Sequence, residues 1–280
     1  MSTRRGVDLH SHSLFSDGTY PPAELVGLAM QLQLEAVALT DHDTAAGLPQ
    51  AEVEATRLGL PFIPGIELTA NHQGGERHIL GYWMSTGRPE LVVLLARMAE
   101  ERRRRIARIV EKLEGCGARL DPEAVLRVPH QGVLGRMHVA VALCQEGLTS
   151  SVQEAFDQFL GDNGPAYVPK YALTVEQTID LIHRAGGVAV LAHPGSEPNE
   201  GEVAAFAQAG LDGLEALYPS HAPRLREYYC DLARQLGLVP VGGSDFHGER
   251  KPQWLGAVTV PMEVVEELKD ALPLGSSASG

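Results

Sequence analysis

Asp8-Leu9-His10-Ser11-His12-Ser13-Leu14-Phe15-Ser16-Asp17-Gly18 holds two histidines, a carboxylate on either side of them and a glycine turn. Val7 to Leu9 reads as the end of a strand. Side chains alternate on an extended backbone, so His10 and His12 project to one side while Asp17 returns from the loop. Imidazole nitrogens and carboxylate oxygens in that arrangement suit zinc, manganese or iron(II).

Outward from this stretch, strand-like apolar runs alternate with helix-like segments, the pattern of an α/β protein with parallel strands. The runs end in chemistry. Glu35 to Thr40 stops at Asp41-His42-Asp43, and Pro61 to Ile66 meets Glu67. Arg77 to Trp83 carries His78 near its start, and Val188 to Ala192 runs into His193-Pro194-Gly195. Leu211 to Leu217 is a strand containing Glu215, and Leu238 to Val241 discharges into Gly242-Gly243-Ser244-Asp245-Phe246-His247. In barrel-like α/β folds the C-terminal strand ends converge on one mouth. His10, His12, Asp17, His42, Glu67, His78, His193, Asp245 and His247 are therefore nine candidate ligands, too many for one tetrahedral ion and enough for two or three. His72 and His183 read as surface residues.

Between about Arg88 and Pro165 the alternation gives way to helices alone, which reads as a helical insertion. The expected division is a discontinuous barrel over 1–87 and 166–274, the insertion over 88–165, and a disordered tail over 275–280. Arg102 to Arg105 lie inside the long helix of the insertion. Four consecutive residues spread around a helix and cannot form one patch, and Glu100, Glu101 and Glu111 lie close by, so a solvated face is expected. Arg136 and His138 follow Gly135 at a helix start, where backbone N–H groups favour an anion, although a capping or surface role fits equally well. Lys170, on the return to the main domain, is another phosphate-binding candidate.

Composition bounds the rest. The 280 residues are 44% hydrophobic and 21% charged, enough for a large core in a globular protein. A formal net charge of -13 argues against tight binding to long duplexes such as duplex DNA. Cys116, Cys144 and Cys230 lack CxxC spacing and read as reduced, mostly buried thiols. With no signal-like or bilayer-length apolar stretch, a cytoplasmic protein without membrane partners is expected.

His10-Ser11-His12 with Asp17-Gly18, Thr40-Asp41-His42-Asp43, Gly65-Ile66-Glu67, His78, Ala192-His193-Pro194 and Gly243-Ser244-Asp245-Phe246-His247 resemble, in this order, the motifs of the polymerase-and-histidinol-phosphatase (PHP) superfamily. The resemblance implies an α/β fold, a distorted (β/α)7 barrel, with a helical insertion domain and a trinuclear site. His10, His12, Glu67 and Asp245 would hold one metal. Glu67 would bridge to a second, held also by His78 and His193, and Asp17, His42 and His247 would hold the third. Manganese is the first expectation, with Fe²⁺ or Zn²⁺ as alternatives.

Gly135-Arg136-Met137-His138-Val139-Ala140, Pro165-Ala166-Tyr167-Val168-Pro169 and Ala185 to Pro194 resemble the stand-alone bacterial branch acting on nucleotides, in which proline commonly occupies the place of Met137. That branch implies removal of the 3′-phosphate from nucleoside 3′,5′-bisphosphates and 5′→3′ hydrolysis of short RNA by a metal-bridging hydroxide. Asp245, His193 and Glu67 would be its catalytic residues, and Arg136, His138 and Lys170 would hold a second phosphate. The competing readings are a histidinol-phosphate-type phosphatase, a non-catalytic metal-binding module and an amide hydrolase.

Overall fold

The computed structural model describes residues 5–273, and the tail expected at 275–280 lies outside them. The first half alternates strands and helices: β1 (Arg5–Asp8), α1 (Pro22–Gln31), β2 (Leu34–Leu39), α2 (Leu48–Leu58), β3 (Phe62–His72) and β4 (Gly75–Tyr82). Helices follow: α3 (Pro89–Gly115), α4 (Pro122–Arg127), α5 (Arg136–Gln145) and α6 (Val152–Ala155), which runs into a π-helical turn at Phe156–Leu160. The remainder is β5 (Leu173–Thr174), α7 (Val175–Arg184), β6 (Val188–Leu191), α8 (Glu200–Gln208), β7 (Gly213–Leu217), α9 (Pro223–Gln235), β8 (Val239–Gly242), a 3₁₀ turn at Gly248–Arg250 and α10 (Met262–Asp270).

Local chemistry sets many of these boundaries. Proline stands in the first turn of α1, α2, α3 and α9, where its missing N–H has no intrahelical partner to lose. Gly59 ends α2 at φ 66°, a left-handed conformation that glycine adopts without strain. At the start of α7, Thr174 accepts from the Gln177 backbone while the Gln177 side chain accepts from the Thr174 N–H.

Seven strands lie along one sheet in the order β1-β2-β3-β4-β6-β7-β8, and the two-residue β5 pairs with the far end of β3. Most neighbours are parallel, as the alternation implies, but β4 is antiparallel to both β3 and β6. The reason is the hairpin turn at Gln73-Gly74, both at positive φ, because a connection that short reverses the chain. Two isolated bridges link the β1 region to the end of the chain, Ser11 to Phe246 and Val7 to Val260.

Val7, Leu9, Ala36, Ala38, Leu80, Val188, Val190 and Val241 form one cluster within the sheet. Helices α1 and α2 pack Leu25, Val26, Ala51 and Ala55 against β2. Helix α3 divides its 27 residues between two cores. Leu91, Leu94 and Met98 join the sheet-facing core, whereas Ile106, Ile109, Val110 and Leu113 meet Val125, Val139, Leu143 and Leu160 in a core made by the helical segment itself. Full burial of each such aliphatic side chain contributes roughly 1.5–3 kcal/mol.

The arginine run departs from the expected solvated face. Arg103 and Arg104 are exposed and pair with Glu100 and Glu101, but Arg102 and Arg105 are buried. Residues three apart share a helix face, and here that face points inward. The thiols also depart from expectation, since Cys116 is exposed and the other two are only partly covered. His72 lies edge-on to Phe206, with ring centroids 4.9 Å apart, and His183 pairs with Asp212 at 2.8 Å. No described helix is long and apolar enough to cross a membrane.

A candidate metal centre at the strand ends

Glu67, on β3 and fully buried, is the hub on which the histidines converge. Its Oε2 lies 3.2 Å from His10 Nε2, 3.1 Å from His12 Nε2 and 3.0 Å from His42 Nδ1. Its Oε1 lies 2.8 Å from His78 Nδ1 and 3.0 Å from His193 Nε2. One carboxylate thus faces two sets of imidazoles. Asp245 Oδ1 stands 3.5, 3.3 and 3.4 Å from His10 Nε2, His12 Nε2 and His247 Nδ1, and His247 Nε2 lies 3.2 Å from Asp17 Oδ1. All nine candidate ligands are therefore brought together.

Seven of them fall into three groups whose ligand atoms could share an ion, His12, Asp17, His42 and His247; His10, His12 and Glu67; and His42, Glu67 and His78, while His193 and Asp245 flank these groups through their contacts with Glu67 and with His10 and His12. This differs in detail from the expected partition, because His12 and His42 each sit between two groups. His42 turns Nδ1 towards Glu67 and Nε2 towards Asp17, 3.9 Å away.

The donor set fits divalent cations. Asp17 Oδ1, His42 Nδ1, Glu67 Oε2 and His247 Nε2 are buried without a hydrogen-bond partner, which is costly for polar atoms unless a ligand satisfies them. Ring nitrogens also point at ring nitrogens, His10 Nε2 to His12 Nε2 at 3.1 Å and His78 Nδ1 to His193 Nε2 at 3.3 Å. Two neutral imidazole lone pairs facing each other repel, whereas a shared cation accepts both.

Burial and neighbouring charge pull these groups apart. Burial opposes the charged form of Glu67, yet His42, His78 and His10 hold its carboxyl well below the usual range. For Asp245 burial is likewise outweighed, by Lys251, His247 and His10. Burial lowers His42 to about 3, leaving a neutral imidazole able to donate a lone pair. His10 goes the other way: burial is overcome by Glu215, Glu67 and Asp245, which raise it well above its ordinary value.

Supporting groups orient the ligands. Glu215 Oε1 lies 2.9 Å from His10 Nδ1, and Glu215 Oε2 accepts from the His193 backbone N–H at 2.7 Å. Asp41 accepts from the Ser13 N–H and from the Ser13 and Ser16 hydroxyls. Asp43 accepts from Thr69 and from Arg102, so the residues on both sides of His42 are anchored. Tyr218 and Lys251 each donate to Asp245 Oδ2 at 2.7 Å. His193 and Asp245 hold φ of 27° and 50°, strained for side-chain-bearing residues and common where a site re-aims them.

Sequence reasoning left Glu215 and Glu76 without roles. Glu215 was visible as a lone acid inside an apolar strand, whereas nothing local marks Glu76 on β4. Glu76 Oε1 lies 2.8 Å from His78 Nε2 and accepts from Lys170 Nζ at 2.7 Å. Lys170 is thereby neutralised by a carboxylate beside the histidines. His138 is fully buried, accepts at Nδ1 from the Gly135 N–H, and is lowered to about 4 by burial and Arg250, so it adds no cation. Arg136 does line the mouth. A cleft of about 450 Å³ is lined by Glu76, His78, His193, Arg136 and Asp162 among others.

The helical segment docks directly on the loop carrying Asp17. Gln131 and Val133 donate backbone N–H groups to Leu14 and Phe15 carbonyls at 2.6 and 2.9 Å. A Cβ at Gly132 would come within 2.0 Å of the Phe15 oxygen, so only glycine permits this approach. Arg250 adds hydrogen bonds to the Asp17 and Pro129 carbonyls.

The profile of the PHP domain matches residues 8–162. The 5′-3′ exoribonuclease Rnm of Salmonella typhimurium is 37% identical over 247 residues, covering 86% of this chain and 84% of its own length. The 3′,5′-nucleoside bisphosphate phosphatase of Chromobacterium violaceum is 31% identical, covering 86% and 87%. The phosphoribosyl 1,2-cyclic phosphate 1,2-diphosphodiesterase of Eggerthella lenta is 32% identical, covering 86% and 94%. Among solved structures, one from Bifidobacterium adolescentis, described as a metal-dependent phosphoesterase, superposes with a TM-score of 0.90 at 31% identity, covering 97% of this chain and 98% of that one.

Proposed function

Because the chain belongs to the PHP domain family and is a metal-dependent phosphoesterase, we propose that it removes the 3′-phosphate of nucleoside 3′,5′-bisphosphates and shortens short RNA in the 5′→3′ direction. Two or three divalent ions, with Mn²⁺ the first to test, would be held by His10, His12, Asp17, His42, Glu67, His78, His193, Asp245 and His247. Divalent ions in such a site acidify a bound water and neutralise charge on phosphoryl oxygens.

The protein's own groups do the rest. Asp245 faces the histidine cluster through Oδ1 while Tyr218 and Lys251 fix its Oδ2, and in this reading it would orient the attacking water and take its proton. Glu67 keeps the two imidazole sets in register. His193 belongs both to the cluster and to the cleft wall, where it would face the scissile phosphate.

The observation that carries the substrate assignment is the shared cleft. It is lined by His78 and His193 and also by Arg136, in a volume of about 450 Å³ that suits a nucleotide. A phosphate at the histidines and a second at Arg136 could belong to one nucleoside. His138 accepts from the Gly135 N–H at the helix start that carries Arg136, and Lys170 is paired with Glu76, which lines the same cleft.

Phosphate release from adenosine 3′,5′-bisphosphate by Mn²⁺-loaded protein tests this, with 5′-AMP, a 5′-phosphorylated RNA and histidinol phosphate in parallel. Conversion of the bisphosphate to 5′-AMP, with 5′-AMP inert and all turnover abolished by a chelator, is the expected result. Hydrolysis of histidinol phosphate alone would overturn the nucleotide assignment.

A further inference from the structure

One of the three ligand groups, His12, Asp17, His42 and His247, is built from segments far apart in the chain. His247 Nε2 lies 3.2 Å from Asp17 Oδ1, and both atoms are buried without a hydrogen-bond partner. The turn that follows His247 is pressed against the residues that follow Asp17. Glu249 donates its N–H to Thr19 Oγ1 at 3.1 Å, and a Cβ on Gly248, which stands at φ 69°, would fall 1.9 Å from the same oxygen.

The helical segment closes this arrangement from outside. Residues 128–135, between α4 and α5, form neither helix nor strand, and it is Gln131 and Val133 of this stretch that donate to the Leu14 and Phe15 carbonyls. Arg250 completes the junction. Its Nη1 donates to the Asp17 carbonyl at 3.0 Å and its Nη2 to the Pro129 carbonyl at 3.1 Å, so one guanidinium ties the ligand loop to the helical segment. Its own backbone is three residues from His247. The phosphoester chemistry above makes no use of these contacts.

We propose that binding of a divalent cation at the Asp17–His247 group and docking of the helical segment are coupled, with Arg250 as the positioning residue that joins them. The inference rests on the metal-binding reading above and adds a regulation of that site. An irregular stretch loses conformational freedom when it docks, and a ligand loop loses it when a cation fixes it. Here both orderings act on the loop that carries Asp17, so whichever comes first reduces the cost of the other, and linkage makes the effect mutual. Charge works in the opposite sense, because a cation at the Asp17 carboxylate and the Arg250 guanidinium repel. What Arg250 contributes is position, not attraction. Arg136, which lines the cleft, lies five residues beyond Gln131, so a protein short of metal would also have a looser cleft wall.

The test uses Zn²⁺, which has no redox chemistry, on chelator-treated protein. Amide hydrogen exchange is followed at Gln131 and Val133, with Leu148, which bonds within the helical segment to the Leu143 carbonyl, as the reference. In wild type, Zn²⁺ should slow exchange at Gln131 and Val133 about tenfold or more relative to Leu148. Calorimetric titration of wild type, Arg250→Lys and Arg250→Met reads the reverse direction. Both variants lose the two-carbonyl bridge, and each should bind one of the ions about tenfold or more weakly, the scale of a lost supporting partner, with the others unmoved. Arg250→Lys should also lose most of the Zn²⁺-dependent slowing.

Wild-type protein that binds no Zn²⁺ overturns the metal-binding reading itself. Zn²⁺ binding that leaves Gln131 and Val133 unchanged, or slows Leu148 equally, refutes the coupling alone. Tighter binding in Arg250→Met with unchanged binding in Arg250→Lys would show that Arg250 acts through charge, and would refute its positioning role. The wild-type exchange measurement decides the coupling even if an Arg250 variant fails to fold.

Discussion

The Arg102 guanidinium, from the middle of α3, donates through Nε at 2.9 Å and through Nη2 to a single oxygen of Asp43, next to His42 at the end of β2. Both side chains are buried, so a charge from the helical segment is neutralised only inside the metal-centre scaffold. Removing one partner leaves the other charge buried and alone. Arg102→Met should therefore destabilise the protein by ~3–5 kcal/mol in urea denaturation. Adding Asp43→Asn should recover part of that loss, because the stranded carboxylate is gone. A double variant as unstable as the sum of the singles would show that the pair does not act as a unit.

Glu215 sets which nitrogen of His10 faces the cluster. Its Oε1 lies against His10 Nδ1, and a carboxylate oxygen can only accept, which implies an Nδ1–H donor and leaves Nε2 for the side shared with His12 and Glu67. Glutamine at this position can accept at one atom only, so either His10 or the His193 N–H loses its acceptor. Glu215→Gln is expected to weaken metal affinity by about 10–100-fold, measured by titrating Mn²⁺ or Zn²⁺ into chelator-treated protein. Unchanged affinity would assign Glu215 to packing alone.

Far from the site, His183 on α7 is raised above its ordinary value, first by its hydrogen bond to Asp212 and against partial burial. Asp212 also accepts from the Ala189 N–H in β6, so the pair ties helix to strand. A raised folded-state value places the stabilisation below the unfolded value, about 6.5, and removes it as pH rises through the folded value. Part of the pair is solvent-exposed, so its worth is about 0.5–1 kcal/mol at most. Melting curves of wild type and His183→Gln should differ most near pH 5.5 and converge by pH 9. A gap that widens with pH would contradict this sign.

The metal-ligand candidates were legible because apolar strands that end in histidine or carboxylate are a one-dimensional signal. His10, His12, His42, Glu67, His78, His193, Asp245 and His247 each interrupt or terminate such a run. The antiparallel β4 was not legible as such, since Gly74-Gly75 marks a turn without stating the pairing beyond it. Arg102 and Arg105 were misread for a related reason. Charge composition describes a helix's surroundings only after its inward face is known, and that face is chosen by Asp43 and Val168, distant in sequence.

By itself the sequence determined the α/β alternation, the helical stretch after β4 and the identities of the groups that meet at the strand ends. Those follow from local periodicity and from where polar residues fall along it. Only the tertiary structure decided that Glu67 presents one oxygen to each set of imidazoles, that Lys170 is neutralised by Glu76, and that Arg105 lies buried with its Nη1 and Nη2 unpartnered. Whether a charged side chain is paired or left free for a ligand depends on which distant groups reach it, and chain order does not encode that distance.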